Sequence, residues 1–323
     1  MYKEILFILA GFVLLIKGAD FLVDGASSVA KRFHIPEIVI GLTIVSIGTS
    51  MPELFVSTTS ALQGSADMSI GNIIGSNVCN LLLILGLSAM ISPVKFQKAT
   101  RNIEIPMCFF VTAVFLLLCN LGAEISFVDS LILLVMFVGF IAYTMYVAKK
   151  GQAEALAAAA AGQAQEEEAT EKKKPMWLNI VLIALGVAGL KFGGDLTVNN
   201  AVVIAEELGI SEKVIGLTIL AIGTSLPELV TSVVAAVKGN DDIAIGNIIG
   251  SNIFNMLMII GVTAFITPLN YNITYNVQMY ILLFSLVLLE VFAITKPKNM
   301  MNRFNGAIYV AMYGVYMALL FIL

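Results

Sequence analysis

Gly41-Leu-Thr-Ile-Val-Ser-Ile-Gly-Thr-Ser-Met-Pro-Glu53 recurs 175 positions later as Gly216-Leu-Thr-Ile-Leu-Ala-Ile-Gly-Thr-Ser-Leu-Pro-Glu228. A second block, Gly71-Asn-Ile-Ile-Gly-Ser-Asn77 followed by Asn80, recurs at the same offset as Gly246-Asn-Ile-Ile-Gly-Ser-Asn252 followed by Asn255. The copies align without a gap from Gly41 and Gly216 to Pro93 and Pro268. Each sets one carboxylate and a row of hydroxyls and amides into apolar sequence, with helix-breaking residues at matched positions. A duplication of this kind points to a binding site where two repeats meet at the middle of a bilayer.

The surroundings agree. The chain has 323 residues, 59% hydrophobic and 12% charged, against roughly 45–50% and about 25% in soluble domains. It reads as an integral membrane protein. The net charge is −4 and the basic residues sit in short connections, which excludes a surface that tracks a phosphate backbone and hence nucleic acid as a partner. Cys79, Cys108 and Cys119 lie in apolar segments and read as small hydrophobes, neither a disulfide set nor a metal site. The one histidine, His34, stands beside Lys31 and Arg32, away from the duplicated blocks. The N-terminal apolar segment contains Lys17 and Asp20 and lacks a small-residue cleavage site, so a spanning helix is expected there instead of a removed leader.

Stretches long enough to span, about 20 apolar residues each, fall at 4–30, 36–63, 67–91, 102–121, 126–148, 176–206, 211–238, 242–267, 275–295 and 303–322. The expected fold is therefore all-α, with ten transmembrane helices, five in residues 1–148 and five in 176–323, joined by a polar linker at 149–175. The Glu168 to Lys172 spacing in that linker suits a short solvated helix. Lys31, Arg32, Lys95, Lys98, Arg101, Lys149, Lys150, Lys172, Lys173, Lys174, Lys238, Lys296, Lys298 and Arg303 fall on one side, and only Lys3 and Lys213 on the other. The basic side is cytoplasmic, which places both termini outside and the linker inside. An odd number of spans per half then makes the second half enter in the opposite sense, giving inverted repeats.

Within each Gly-Thr-Ser-x-Pro-Glu block, proline removes a backbone donor and clashes with the preceding turn, so a kink or short unwound section is expected. Thr49, Glu53 and Ser57 recur every four residues, as do Thr224, Glu228 and Ser232, placing each set on one helix face. Asn72, Ser76 and Asn80 repeat the spacing, and so do Asn247, Ser251 and Asn255. The chemistry on offer is oxygen alone, which suits hard cations. An ionisable residue in mid-membrane is costly enough to mark function. Lys17 with Asp20, and Lys191 with Asp195, have the spacing of local ion pairs, and Asp67, Asp241 and Asp242 read as turn or cap residues. The first and sixth helices lack the polar stripe and carry Gly11, Gly18 and Gly25, and Gly186, Gly189, Gly193 and Gly194, which would let them slide over the other eight.

At these two motifs the chain resembles the sodium/calcium exchanger family of cation/calcium antiporters, in a prokaryotic form. The resemblance implies secondary antiport of external Na⁺ against internal Ca²⁺ by alternating access, in a cell membrane, by a protein expected to work as a monomer without a cofactor or enzymatic activity. Carried over by motif, the ion ligands are Thr49, Ser50, Glu53, Ser76 and Asn80 with Thr224, Ser225, Glu228, Ser251 and Asn255, and Ser46 and Ala221 give backbone carbonyls. Asn255 stands where archaeal and potassium-dependent members of the family have aspartate, leaving two carboxylates instead of three. Calcium/proton exchange and a cation channel use the same ligands, and spacing alone does not separate them. An intramembrane aspartyl protease would need a motif that Phe192-Gly-Gly-Asp195 does not complete.

Overall fold

The structure is a computed structural model and describes residues 2–160, 175–209 and 221–322. Its helices are α1 (Tyr2–Phe33), α2 (Glu37–Thr49), α3 (Met51–Leu62), α4 (Ala66–Ile91), α5 (Thr100–Gly122), α6 (Phe127–Ala160), α7 (Met176–Glu207), α8 (Ala221–Gly223), α9 (Leu226–Val237), α10 (Asp241–Ile266), α11 (Asn276–Ile294) and α12 (Arg303–Ile322). Among the described residues, seven helices are long and apolar enough to cross a membrane, and an eighth span results if α2 and α3, bent by 48° at their junction, are taken together. The expected span at 211–238 lies partly outside the described residues, and α8 and α9 are its described part. The expected span at 303–322 is α12.

Small residues bring α1 and α7 together. A Cβ on Gly11 would lie 2.8 Å from the Gly193 carbonyl, one on Gly18 2.9 Å from that of Gly186, and one on Gly25 3.0 Å from that of Asn179. Partner numbers fall as the residue numbers rise, so the two helices run antiparallel. Backbones this close gain dispersion contact along their whole length, which drives association where both helices already sit among apolar tails.

Four two-residue strands tie the halves together at their ends. β1 (Val94–Lys95) pairs antiparallel with β4 (Met300–Met301), and β2 (Glu124–Ile125) with β3 (Leu269–Asn270). Adding 175 carries β1 onto β3, and subtracting it carries β4 onto the region of β2. One pairing thus becomes the other, as a two-fold relation between halves requires.

The most buried helices are α4 and α10, which carry the second repeated block. Outside them, exposed Phe110, Leu117, Leu121, Val135 and Val138 form part of an apolar surface. One expectation changes on contact with the structure. The fifth helix continues to Ala160, past residue 148, because Ala, Glu, Gln and Lys are strong helix formers and Lys150 reaches Glu154 at 3.9 Å. The Glu168–Lys172 helix lies outside the described residues. At the proline blocks, where a kink or a short unwound section is expected, the structure has a break. The chain breaks at Ser50 and Ser225, with ψ of 9° and 6°, and Pro52 and Pro227 stand in the first turn of a new helix, where a missing N–H costs nothing.

An extra methyl group in the α1–α7 contact is a direct test. Gly186→Ala, whose Cβ would lie 2.6 Å from the Leu22 backbone nitrogen, should destabilise the purified protein by about 1–3 kcal/mol. Gly194→Ala, whose nearest neighbour would be Pro227 Cγ at 3.9 Å, should be neutral. Thermal unfolding followed by size exclusion reads both.

Candidate functional site

The break at Ser50 turns its hydroxyl across the molecule, where Ser50 Oγ donates to Glu228 Oε1 at 2.9 Å. The break at Ser225 does the converse, with Ser225 Oγ 3.5 Å from Glu53 Oε1. Thr49 Oγ1 donates to Asn247 Oδ1 at 3.1 Å and Thr224 Oγ1 to Asn72 Oδ1 at 3.4 Å. Asn72 Nδ2 in turn donates to Ser57 Oγ at 3.0 Å, and Asn247 Nδ2 to Ser232 Oγ at 2.9 Å. Every bond has its mate at an offset of 175, so the cluster is two-fold in its chemistry.

The cluster departs from symmetry at one serine. Ser76 Oγ lies 3.3 Å from Glu53 Oε1, 3.0 Å from Ser225 Oγ and 3.4 Å from Asn255 Nδ2. Its mate Ser251 Oγ has no hydrogen-bond partner among the described residues.

Glu53 and Glu228 are both fully buried, at 0% exposure. Glu53 Oε2, Glu228 Oε2, Asn80 Oδ1, Asn255 Oδ1 and Ser251 Oγ are buried oxygens without a hydrogen-bond partner among the described residues. Leaving such atoms unpaired costs about 1–3 kcal/mol each and more for charged groups. The glutamate and asparagine oxygens belong to one hydrogen-bonded cluster, and unpaired acceptors of that kind are complemented by a cation.

Helix geometry aims these oxygens. In α4 a π-helical turn runs from Cys79 to Ile84, and in α10 one runs from Asn255 to Ile259. Both turns begin at or just before Asn80 and Asn255, which the four-residue spacing already places on the helix face of Ser76 and Ser251. The Ser46 carbonyl, expected as a ligand, accepts the helical bond from Ser50 N at 3.0 Å and has Thr49 Oγ1 3.3 Å away, so one lone pair at most is left for an ion. Gly48 is the residue whose carbonyl loses its helical donor, because Pro52 has no N–H. Ala221 opens the described residues after 210–220; the preceding Gly216 to Leu220 lies outside them.

The two matched pairs differ in exposure among the described residues. A cavity of about 1020 Å³ is lined by Asn72, Thr224, Pro52, Pro227, Asp67 and Lys191, among others. A recess of about 230 Å³ lies beside it against the middle of α7. Asn72 and Thr224 are partly exposed, whereas their mates Asn247 and Thr49 are fully buried.

The expected ion pairs form on the surface of α1 and α7, Lys17 with Asp20 at 3.7 Å and Lys191 with Asp195 at 2.8 Å. Lys238 adds a contact the spacing did not suggest, reaching Asp20 at 2.9 Å and Asp24 at 2.8 Å and tying the end of α9 to α1. Asp241 and Asp242 begin α10 and accept from Lys95 N at 3.2 Å and Gln97 Nε2 at 2.6 Å. Among the described residues, no group of three or more His, Cys, Asp or Glu side chains is arranged to hold a metal. The site is two carboxylates in a frame of neutral oxygens.

The family model for "Sodium/calcium exchanger protein" matches residues 3–146 and 178–322. The chain is 40% identical over 269 residues to the putative antiporter CaxA of Alkalimonas amylolytica, covering 83% of this chain and 82% of that one. It is 32% identical over 346 residues to the sodium/calcium exchanger MaX1 of Methanosarcina acetivorans, covering 98% of each. A solved structure of the sodium-calcium exchanger NCX_Mj, soaked with zero Na⁺ and Ca²⁺, superposes with a TM-score of 0.82 at 33% identity and 98% coverage of both chains.

Ser50→Ala would leave Glu228 Oε1 without its cross-half donor. The variant should lose about 1–3 kcal/mol of stability in cation-free buffer, measured by thermal unfolding beside the wild type. An unchanged midpoint would show that this hydrogen bond contributes nothing.

Proposed function

The chain belongs to the sodium/calcium exchanger family, and from that premise we propose that it exchanges external Na⁺ for internal Ca²⁺ by alternating access, binding both ions around Glu53 and Glu228. One observation carries the reading: two fully buried carboxylates, bound reciprocally through Ser50 and Ser225, each keep an oxygen with no partner. The ligands in this reading are Thr49, Ser50, Glu53, Ser76 and Asn80, with Thr224, Ser225, Glu228, Ser251 and Asn255, and carbonyls near Ser46 and Ala221. Ca²⁺ takes six to eight oxygens, and two carboxylates neutralise its charge, so the loaded site crosses the low-dielectric region nearly neutral.

In this proposal residues 1–148 and 176–323 are inverted five-helix repeats within ten spans, and 149–175 is a cytoplasmic linker. The antiparallel α1–α7 contact, the exchanged strand pairing and the reciprocal hydrogen bonds support it. Lys and Arg placement puts both termini outside. Asp67, at the rim of the large cavity, follows the second span and so lies on the side opposite the basic connections, which makes this an outward-facing arrangement. Sliding of α1 and α7 over the remaining helices would close it and open the other side. Since one chain supplies every ligand, a monomer suffices.

Glu53→Gln and Glu228→Gln keep shape and an oxygen but delete one charge, leaving a positive site at the midplane at a cost of roughly several kcal/mol. Each should abolish Na⁺-driven Ca²⁺ uptake into sealed vesicles while leaving the protein inserted. Uptake driven by a pH gradient but not by a Na⁺ gradient would instead make the chain a proton exchanger.

Because both ions use the same carboxylates, Na⁺ should raise the apparent Kd for Ca²⁺ in equilibrium binding. Simultaneous occupancy without mutual weakening would rule out a shared site.

A further inference from the structure

We propose that Asn77 and Asn252, which are outside the ligand set above, are positioning residues that fix which end of the Asn255 and Asn80 amides faces the ions. The inference rests on the reading of Asn80 and Asn255 as ligands. An asparagine amide has an oxygen that attracts a cation and an NH₂ that repels it, and the two ends are nearly the same shape. A ligand asparagine therefore needs something to hold it the right way round.

Here that reference is backbone. Asn77 Nδ2 donates to the Asn252 carbonyl at 3.1 Å, and Asn252 Nδ2 donates to the Asn77 carbonyl at 3.3 Å. A carbonyl only accepts, so turning either amide over would set oxygen against oxygen. With both NH₂ groups committed, the remaining end of each is an acceptor. Asn77 Oδ1 accepts from Asn255 Nδ2 at 2.9 Å, and Asn252 Oδ1 accepts from Asn80 Nδ2 at 3.1 Å. The NH₂ ends of Asn255 and Asn80 are thereby held, and their oxygens are left free: Asn255 Oδ1 and Asn80 Oδ1 are among the buried oxygens without a partner.

All four side chains have 0% exposure, so the orientation is set by this network and not by solvent. The control is crossed, since Asn77 orients Asn255 in the other half and Asn252 orients Asn80.

The test is a double-mutant cycle on the full chain, purified in detergent, with ⁴⁵Ca²⁺ equilibrium binding and its displacement by Na⁺. Leucine has the heavy-atom outline of asparagine without its donors or acceptors. Asn77→Leu and Asn255→Ala should each weaken Ca²⁺ binding by about 10–100-fold, the range for partners that orient a metal ligand. The double variant should bind no more weakly than Asn255→Ala, because an orienting residue has no effect once its target is gone. Asn77→Leu combined with Asn80→Ala should instead multiply the two losses. Asn252→Leu with Asn80→Ala forms an independent cycle, usable if one set fails to insert.

Multiplying losses for Asn77 with Asn255, or the same dependence of Asn77→Leu on either target, would overturn the proposal. If Asn80→Ala and Asn255→Ala left affinity for both ions unchanged, the ligand reading of these asparagines would fall and the positioning role with it. The carboxylate reading would then still be judged separately, by the two glutamine variants.

Discussion

Two carboxylates have to be kept fully buried within a few side chains of each other. Removing such groups from water costs several kcal/mol each unless donors replace the lost hydration. The chain meets the cost by exchange between halves: the helix break of the first half supplies the hydroxyl for the second half's glutamate, and the break of the second reaches back to the first. Glu228 accepts from Ser50 of the other half, whereas Glu53 lies within reach of Ser225 of the other half and of Ser76 in its own. The close α1–α7 backbone contact and the cross-paired end strands hold the two halves in the register that this exchange needs.

Satisfaction stops short of completion. Among the described residues each glutamate keeps one oxygen unpaired, and so do the two asparagines at the π-helical turns and Ser251, beside others such as Ser88 and Thr231. A core selected for stability alone would have paired these atoms or replaced them with apolar groups. In the proposed function the glutamate and asparagine oxygens are the acceptors an ion would complete, at the expense of stability in its absence.

Much of this was legible in the sequence. The duplication, the apolar stretches and the four-residue polar spacing identified the elements, and Glu53, Glu228, Ser50, Ser225, Ser76 and Asn255 do meet. Asn77 and Asn252 escaped because they fall off the stripe of Asn72, Ser76 and Asn80, and only the three-dimensional crossing of α4 and α10 brings them together. The π-helical turns were likewise invisible, since they leave residue types unchanged and alter only the angle between them. Proline was read as marking a kink or a short unwound section, and it stands where a new helix starts after a break. The break itself falls on the serine two residues earlier, which takes a non-helical ψ that composition does not encode. Lys238 was placed in a connection, and its reach to Asp20 and Asp24 depends on where α1 lies against α9.

The two-fold chemistry and the unequal exposure of its matched pairs bear on each other. The Thr224–Asn72 pair borders the large cavity, and its mate, Thr49–Asn247, is fully buried, with Thr49 at the wall of the smaller recess. Since the two pairs make the same bonds, exposing one and burying the other costs the site nearly the same whichever is chosen. The preference for one arrangement must then come from contacts that the two-fold relation does not repeat. Ser76 is such a contact within the site, and the Lys238 tie to Asp20 and Asp24 is one outside it. Exposed ion pairs contribute little each, commonly under about 1 kcal/mol, so a bias built from them is small. A small bias is what a reversible carrier requires: with both orientations close in free energy, the binding energy of one ion or the other is enough to decide which is occupied.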